Sequence, residues 1–308
     1  DAGAGLGVAG GAQSAIQRAL LAYSRSEEAS ADQAAFTYLE RAGIDPEGLM
    51  EVMRSFRGQE VFSGRNQDPY ARTHPVFSER LALSERRAAE SAHRGAPPDP
   101  QLAYWTERMG AKLDGFLVSP RTTLSRLAPD DGSEFARLRR AVALHRLPDP
   151  DGALREVDQL IALRPDDAYY HELKGQILLE SGRGPAAVAP YRQAVALAPE
   201  EPLILGHLGR ALLSLGDPGA DREALTALER GAALSNGGSP GLLRDLSFAY
   251  ARTGEEGKAA LASAERLALL GASRDARRLA RRAKDMLPAG SPAWLRADDI
   301  VASMPDDS

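Results

Sequence analysis

The feature that most restricts the fold is a spacing. Pro165 and Pro199 lie 34 residues apart, as do Gly175 and Gly209, and again Gly182 and Gly216. Three independent pairs at one period mark a chain built from repeated units. Within each unit the apolar residues recur at three and four, the helical spacing. A small residue at a fixed position lets two helices approach closely, and a proline ends the second helix. Such a hairpin cannot bury its apolar face alone, so neighbouring units must stack.

A 34-residue period with small residues at fixed places resembles the tetratricopeptide repeat. The first unit, about 134–167, carries Ala141, Leu144, Ala153, Val157, Leu160 and Pro165. The second, about 168–201, carries Gly175, Leu178, Gly182, Ala187, Tyr191, Ala194 and Pro199. The third has Gly209, Leu212 and Gly216, then an insertion at Asp217-Pro218-Gly219-Ala220, with its second helix resuming at Ala224. The fourth has Leu246, Tyr250, Gly254 and Ala259, and a further helix is expected over 273–286, before Pro288. The expected result is a right-handed superhelix of four to five repeats over 134–308, with a concave face for protein or peptide partners.

The rest of the chain also reads as helical, so the fold class is all-α. A helix is expected from about Gln13 to Arg41, closed by Gly43 as C-cap. Asp45-Pro46-Glu47 starts a second, with Asp45 as N-cap. Ser78 caps a third, through about Ser91. Gly95-Ala96-Pro97-Pro98-Asp99-Pro100 is a break, which gives domains at 1–94, 95–133 and 134–308. In the connector, Leu102, Trp105, Met109, Leu113, Phe116 and Leu117 form an apolar stripe expected to be core, with Trp105 as a packing anchor.

Composition excludes some functions. A net charge of −5 argues against nucleic-acid binding, which needs a basic surface. The absence of cysteine excludes disulfides and thiolate zinc sites. No apolar run reaches the length of a membrane span. One local exception is basic: Arg274, Arg277, Arg278, Arg281, Arg282 and Lys284 fall on one helix, either as a solvated outer face or as a site for an acidic partner or anionic lipid head groups.

Near the N-terminus, Ser24-Arg25-Ser26-Glu27-Glu28-Ala29-Ser30-Ala31-Asp32 lies within the first expected helix. Glu28 and Asp32 are four residues apart and share a face. Two acids at that spacing mark either a solvated face or half of a metal site; the pair alone leaves both open. His74-Pro75 follows in a loop, where a histidine can equally be an exposed turn residue.

The order of these pieces is informative. Ser-Arg-x-x-Glu-x-x-Ala-Asp, Tyr-Leu-Glu-Arg-Ala-Gly, Asp-Pro, and Asp68-Pro69-Tyr70-Ala71-Arg72-Thr73-His74-Pro75 together resemble the CAAX-prenyl-protease-type zinc metallopeptidases, within them the BepA-like periplasmic branch with C-terminal tetratricopeptide repeats. The resemblance implies a partial gluzincin-type helical peptidase domain over 1–94, a hydrolase. It implies Glu28 as the third protein ligand of a catalytic zinc, Asp32 as the partner that orients a zinc-bound histidine, and His74 in a gating or oxyanion role. It implies misfolded or stalled envelope proteins as substrates, a periplasmic location, and peripheral association with outer-membrane assembly proteins.

One departure matters. The family's zinc helix carries His-Glu-x-x-His, two ligands and the general base. The histidines here are His74, His93, His145, His171 and His207, and Gly175 stands where His171-Glu172 would need the second histidine. The catalytic helix is expected upstream of Asp1, and this chain alone is expected to be inactive and to bind zinc weakly or not at all. The alternative reading is a non-catalytic repeat scaffold for protein–protein interaction.

Overall fold

The computed structural model describes residues 26–57, 78–235 and 239–304. Among these residues all regular structure is helical. Two compact units divide at Trp105/Thr106.

The first unit contains α1 (residues 26–42), α2 (Glu47–Ser55), α3 (Ser78–Glu90) and the start of α4 (Pro100–Leu117). Helix α1 ends as its sequence requires. Gly43 has φ +70° and the Ile44 N–H donates to the Leu39 carbonyl at 3.0 Å, a six-to-one closure that a Cβ at Gly43 would strain. Asp45 Oδ1 then accepts the Glu47 N–H at 2.9 Å, opening α2 one residue later than the Asp-Pro pair suggests. Phe36 of α1, Met50 and Met53 of α2, and Leu81 and Ala88 of α3 make a small buried core.

The second unit follows α4 with α5 (Pro120–Arg126) and five helical hairpins. These are α6 (Glu134–Arg146) with α7 (Pro150–Leu163), α8 (Ala168–Glu180) with α9 (Gly184–Leu197), α10 (Pro202–Leu213) with α11 (Pro218–Leu234), α12 (Pro240–Arg252) with α13 (Glu256–Leu269), and α14 (Ser273–Met286) with α15 (Pro292–Ser303). Five of these starts share one device. Asp149, Glu201, Asp217, Ser239 and Ser291 each accept a backbone N–H in the first turn, and each is followed by a proline that needs no N–H partner.

The expected small residues work by close approach. A Cβ on Gly175 would lie 2.8 Å from the Tyr191 ring, so α8 and α9 touch where the side chain is missing. Tyr191 is 1% exposed. Three details differ from expectation. Residues 218–220 are not a loop: Asp217 caps α11 at Pro218, so the insertion lengthens the helix to 17 residues. A helix, α15, follows Pro288, where no helix was expected. Trp105 is 41% exposed, and the buried side of α4 is Arg108, Ala111 and Gly115.

Candidate functional site

Glu28 and Asp32 stand one turn apart on α1, and both face α3. The guanidinium of Arg80 spans them: Nη1 lies 2.7 Å from Glu28 Oε2, Nε donates to Asp32 Oδ2 at 2.5 Å and Nη2 to Asp32 Oδ1 at 2.7 Å. The three side chains are 12–15% exposed. The shared core fixes this geometry, because Leu81 follows Arg80 directly and packs with Phe36. Arg87, two turns along α3, lies 5.6 Å from the Phe36 ring centre and ties the two helices again.

The face that Glu28 and Asp32 share is thus covered by the Arg80 guanidinium rather than left open. His74 lies outside the described residues. The other histidines serve other ends: His93 packs beside Gly43, His145 pairs with Glu180 at 2.7 Å, His171 Nε2 lies 2.8 Å from the Pro165 carbonyl, and His207 lies 3.0 Å from Glu172. Among the described residues no three acidic or histidine side chains converge as a metal site. Two carboxylates sharing one arginine are too few donors for zinc, which takes at least three protein ligands. The described residues therefore do not fit a zinc ion by themselves.

The sequence places Arg80 in the first turn of the helix that Ser78 opens but not against Glu28 and Asp32, although a signal exists. A cation in the first turn of a helix opposes the helix dipole. An arginine two residues after the start of α3 therefore calls for an anionic partner outside its own helix.

The second unit carries a different polar arrangement. His145–Glu180, Glu172–His207 and Arg210–Asp245 each join the first helices of adjacent hairpins, and each pair is 35 residues apart, one repeat plus one. Glu172 is 8% exposed. Burial opposes its ionisation, but the His207 contact and the charges of Lys112 and Arg108 outweigh it and hold the carboxyl below its ordinary range. The basic stripe on α14 is partly spent within the fold. Arg277 Nη1 donates to the Met304 carbonyl at 3.1 Å, Arg278 pairs with Asp275, and Lys284 pairs with Asp298 over the Trp294 ring.

Residues 2–88 match the sequence model of Peptidase family M48, and residues 138–202 and 173–237 match that of the tetratricopeptide repeat. The chain joins a peptidase M48 segment to tetratricopeptide repeats. The beta-barrel assembly-enhancing protease of Yersinia pestis is 24% identical over 221 residues, 70% of this chain and 45% of that protein. The protein of the same name from Escherichia coli (strain K12) is 24% identical over 240 residues, 74% of this chain and 46% of its own length. The chain thus spans about half the length of the curated relatives it matches. Among solved structures, a crystal structure of MamA is 17% identical with a TM-score of 0.42, covering 55% of this chain and 95% of its own. MamA 41-end from Desulfovibrio magneticus RS-1 is 20% identical with a TM-score of 0.46, covering 54% and 94%.

Proposed function

We propose that this chain is the third-ligand and repeat portion of a zinc-dependent metalloendopeptidase of the periplasm, acting on misfolded or stalled envelope proteins during outer-membrane assembly. The observation that carries the reading is the Glu28/Asp32 face, fixed by Arg80, inside the segment that matches Peptidase family M48. In this reading Glu28 binds zinc, Asp32 orients a zinc-bound histidine, and His74 gates the site or supports the oxyanion. The two histidines and the general base come from a His-Glu-x-x-His segment outside this sequence. Alone, the chain hydrolyses no peptide. Its repeats hold partner or substrate proteins, and domain limits at 94 and 133 separate the peptidase segment, the connector and the repeats.

The test joins this sequence to its His-Glu-x-x-His segment. Zinc content is then measured by mass spectrometry beside casein hydrolysis. The expected result is one zinc per chain, lost in Glu28→Ala together with activity. Equal stoichiometric zinc in both proteins would overturn the ligand assignment.

A second reading is favoured by the same contact. Arg80 already satisfies both carboxylates, which suits a non-catalytic repeat scaffold that uses the acidic pair only to dock α1 on α3. Zinc-independent binding of partner proteins, with no hydrolysis by the joined protein, would select it.

A further inference from the structure

The three rungs between first helices are not alike. Two are one-to-one pairs of a histidine with a glutamate. The third has two cations on one anion. Asp245, 4% exposed, accepts from Arg210 Nε at 2.7 Å through Oδ2, and from Arg244 Nε at 2.9 Å and Nη2 at 2.8 Å through Oδ1. Both carboxylate oxygens are used, while each guanidinium has five N–H donors. The arginine side chains remain 41% and 44% exposed. One positive charge is left over at the surface, in a chain whose net charge is −5.

Exposed apolar side chains share these helix faces, with the His207–Glu172 pair standing between Leu203 and Arg210. Leu203, two turns before Arg210 on α10, is 57% exposed, and Phe248, one turn after Arg244 on α12, is 56% exposed. Gly241 precedes Arg244 by one turn; a Cβ there would lie 3.6 Å from Arg210 Nη2, so its absence leaves that guanidinium unshielded. Buried anchorage by Asp245 pre-orients both guanidinia, which lowers the ordering cost of binding a second carboxylate.

We propose that Arg210 and Arg244 form a recognition site for an extended peptide segment that carries one carboxylate between large apolar side chains. The incoming carboxylate takes the free donors of the two arginines, and its neighbours rest on Leu203 and Phe248. The mixed lining decides for a peptide over a free inorganic anion, which has no use for exposed leucine and phenylalanine. This rests on the reading of the repeats as a partner-binding region and names the chemistry of the partner. It is independent of the zinc assignment.

The probe is a short fluorescein-labelled peptide with both ends blocked, carrying one glutamate between leucine and phenylalanine, measured by anisotropy against this chain. Its glutamine twin is the control. The glutamate peptide is expected to bind about tenfold more tightly than the twin, the yield of charge-assisted hydrogen bonds. Arg210→Gln with Arg244→Gln should erase that difference, Arg210→Lys with Arg244→Lys should keep part of it, and Phe248→Ala should weaken both peptides alike. Circular dichroism of each variant checks that the repeats stay folded. Equal binding of the two peptides, still weakened by Phe248→Ala, would overturn the acid site while the partner-binding reading stands. Binding of neither peptide, with arginine-dependent binding to phosphatidylglycerol vesicles instead, would also overturn it.

Discussion

Arg80 and Asp32, 48 residues apart in sequence, meet through two parallel N–H···O bonds, and the same guanidinium reaches Glu28. This pairing joins α3 to the helix that carries the proposed ligand. It also sets how the two carboxylates are held. Without a cation between them, two acids one turn apart repel.

Replacing Arg80 by alanine is expected to destabilise the first unit by about 2 kcal/mol, because two mostly buried carboxylates lose their common partner. Arg80→Lys should recover less than half, since an ammonium cannot make the bidentate contact. Thermal unfolding followed by circular dichroism at neutral pH reads both. An unchanged melting temperature in Arg80→Ala would remove the structural role assigned to this contact.

Glycines separate by what a methyl group would meet. Gly175→Ala puts a Cβ 2.8 Å from the Tyr191 ring, inside the stack, and is expected to cost about 1–3 kcal/mol by overpacking. Gly110 lies in the middle of α4 with nothing within 4 Å of its Cβ position. Gly110→Ala is expected to stabilise by roughly 0.5–1 kcal/mol through helix propensity. Chemical denaturation of both variants should therefore move the midpoint in opposite directions.

The repeat architecture was legible because its signal is redundant. Gly175, Gly209, Pro165 and Pro199 keep their period whatever the local packing, and the 273–286 helix fell where expected. Helix α4 was legible only as a helix. Of its apolar stripe, Leu102, Trp105, Met109, Leu113 and Leu117 are 41–77% exposed and Phe116 alone packs against the core of the first repeats, while Arg108, Ala111 and Gly115 are buried. Both sets have helical spacing. Packing chose the small residues, which admit Val142 of α6 beside Gly115, and Arg108 is accepted in the interior because it pairs with Asp167 and lies 4.2 Å from the Tyr170 ring centre. At the candidate site, the pattern on one helix exposed Glu28 and Asp32. Arg80 belongs to a contact 48 residues away, which no local period encodes.

One buried glutamate, Glu172, and one half-buried, Glu265, should give the repeats opposite responses to acid. Burial pushes the Glu265 carboxyl up from 4.5, only partly offset by Arg296, whereas Glu172 is held below 4.5 despite its burial by His207, Lys112 and Arg108. A raised folded value means that ionised Glu265 penalises the fold at neutral pH, and the penalty fades as pH falls through that value. A lowered folded value means that Glu172 contributes stability above pH 4.5, which is lost as pH falls through its depressed value. Glu265→Gln is therefore expected to raise the melting temperature at pH 7 and to leave it nearly unchanged near pH 4, where the wild-type side chain is already protonated. Glu172→Gln should lower it at pH 7 and flatten the acid limb of the stability curve. A Glu265→Gln protein that melts lower than wild type at pH 7 would mean that its 3.5 Å contact with Arg296 outweighs the cost of burying the charge.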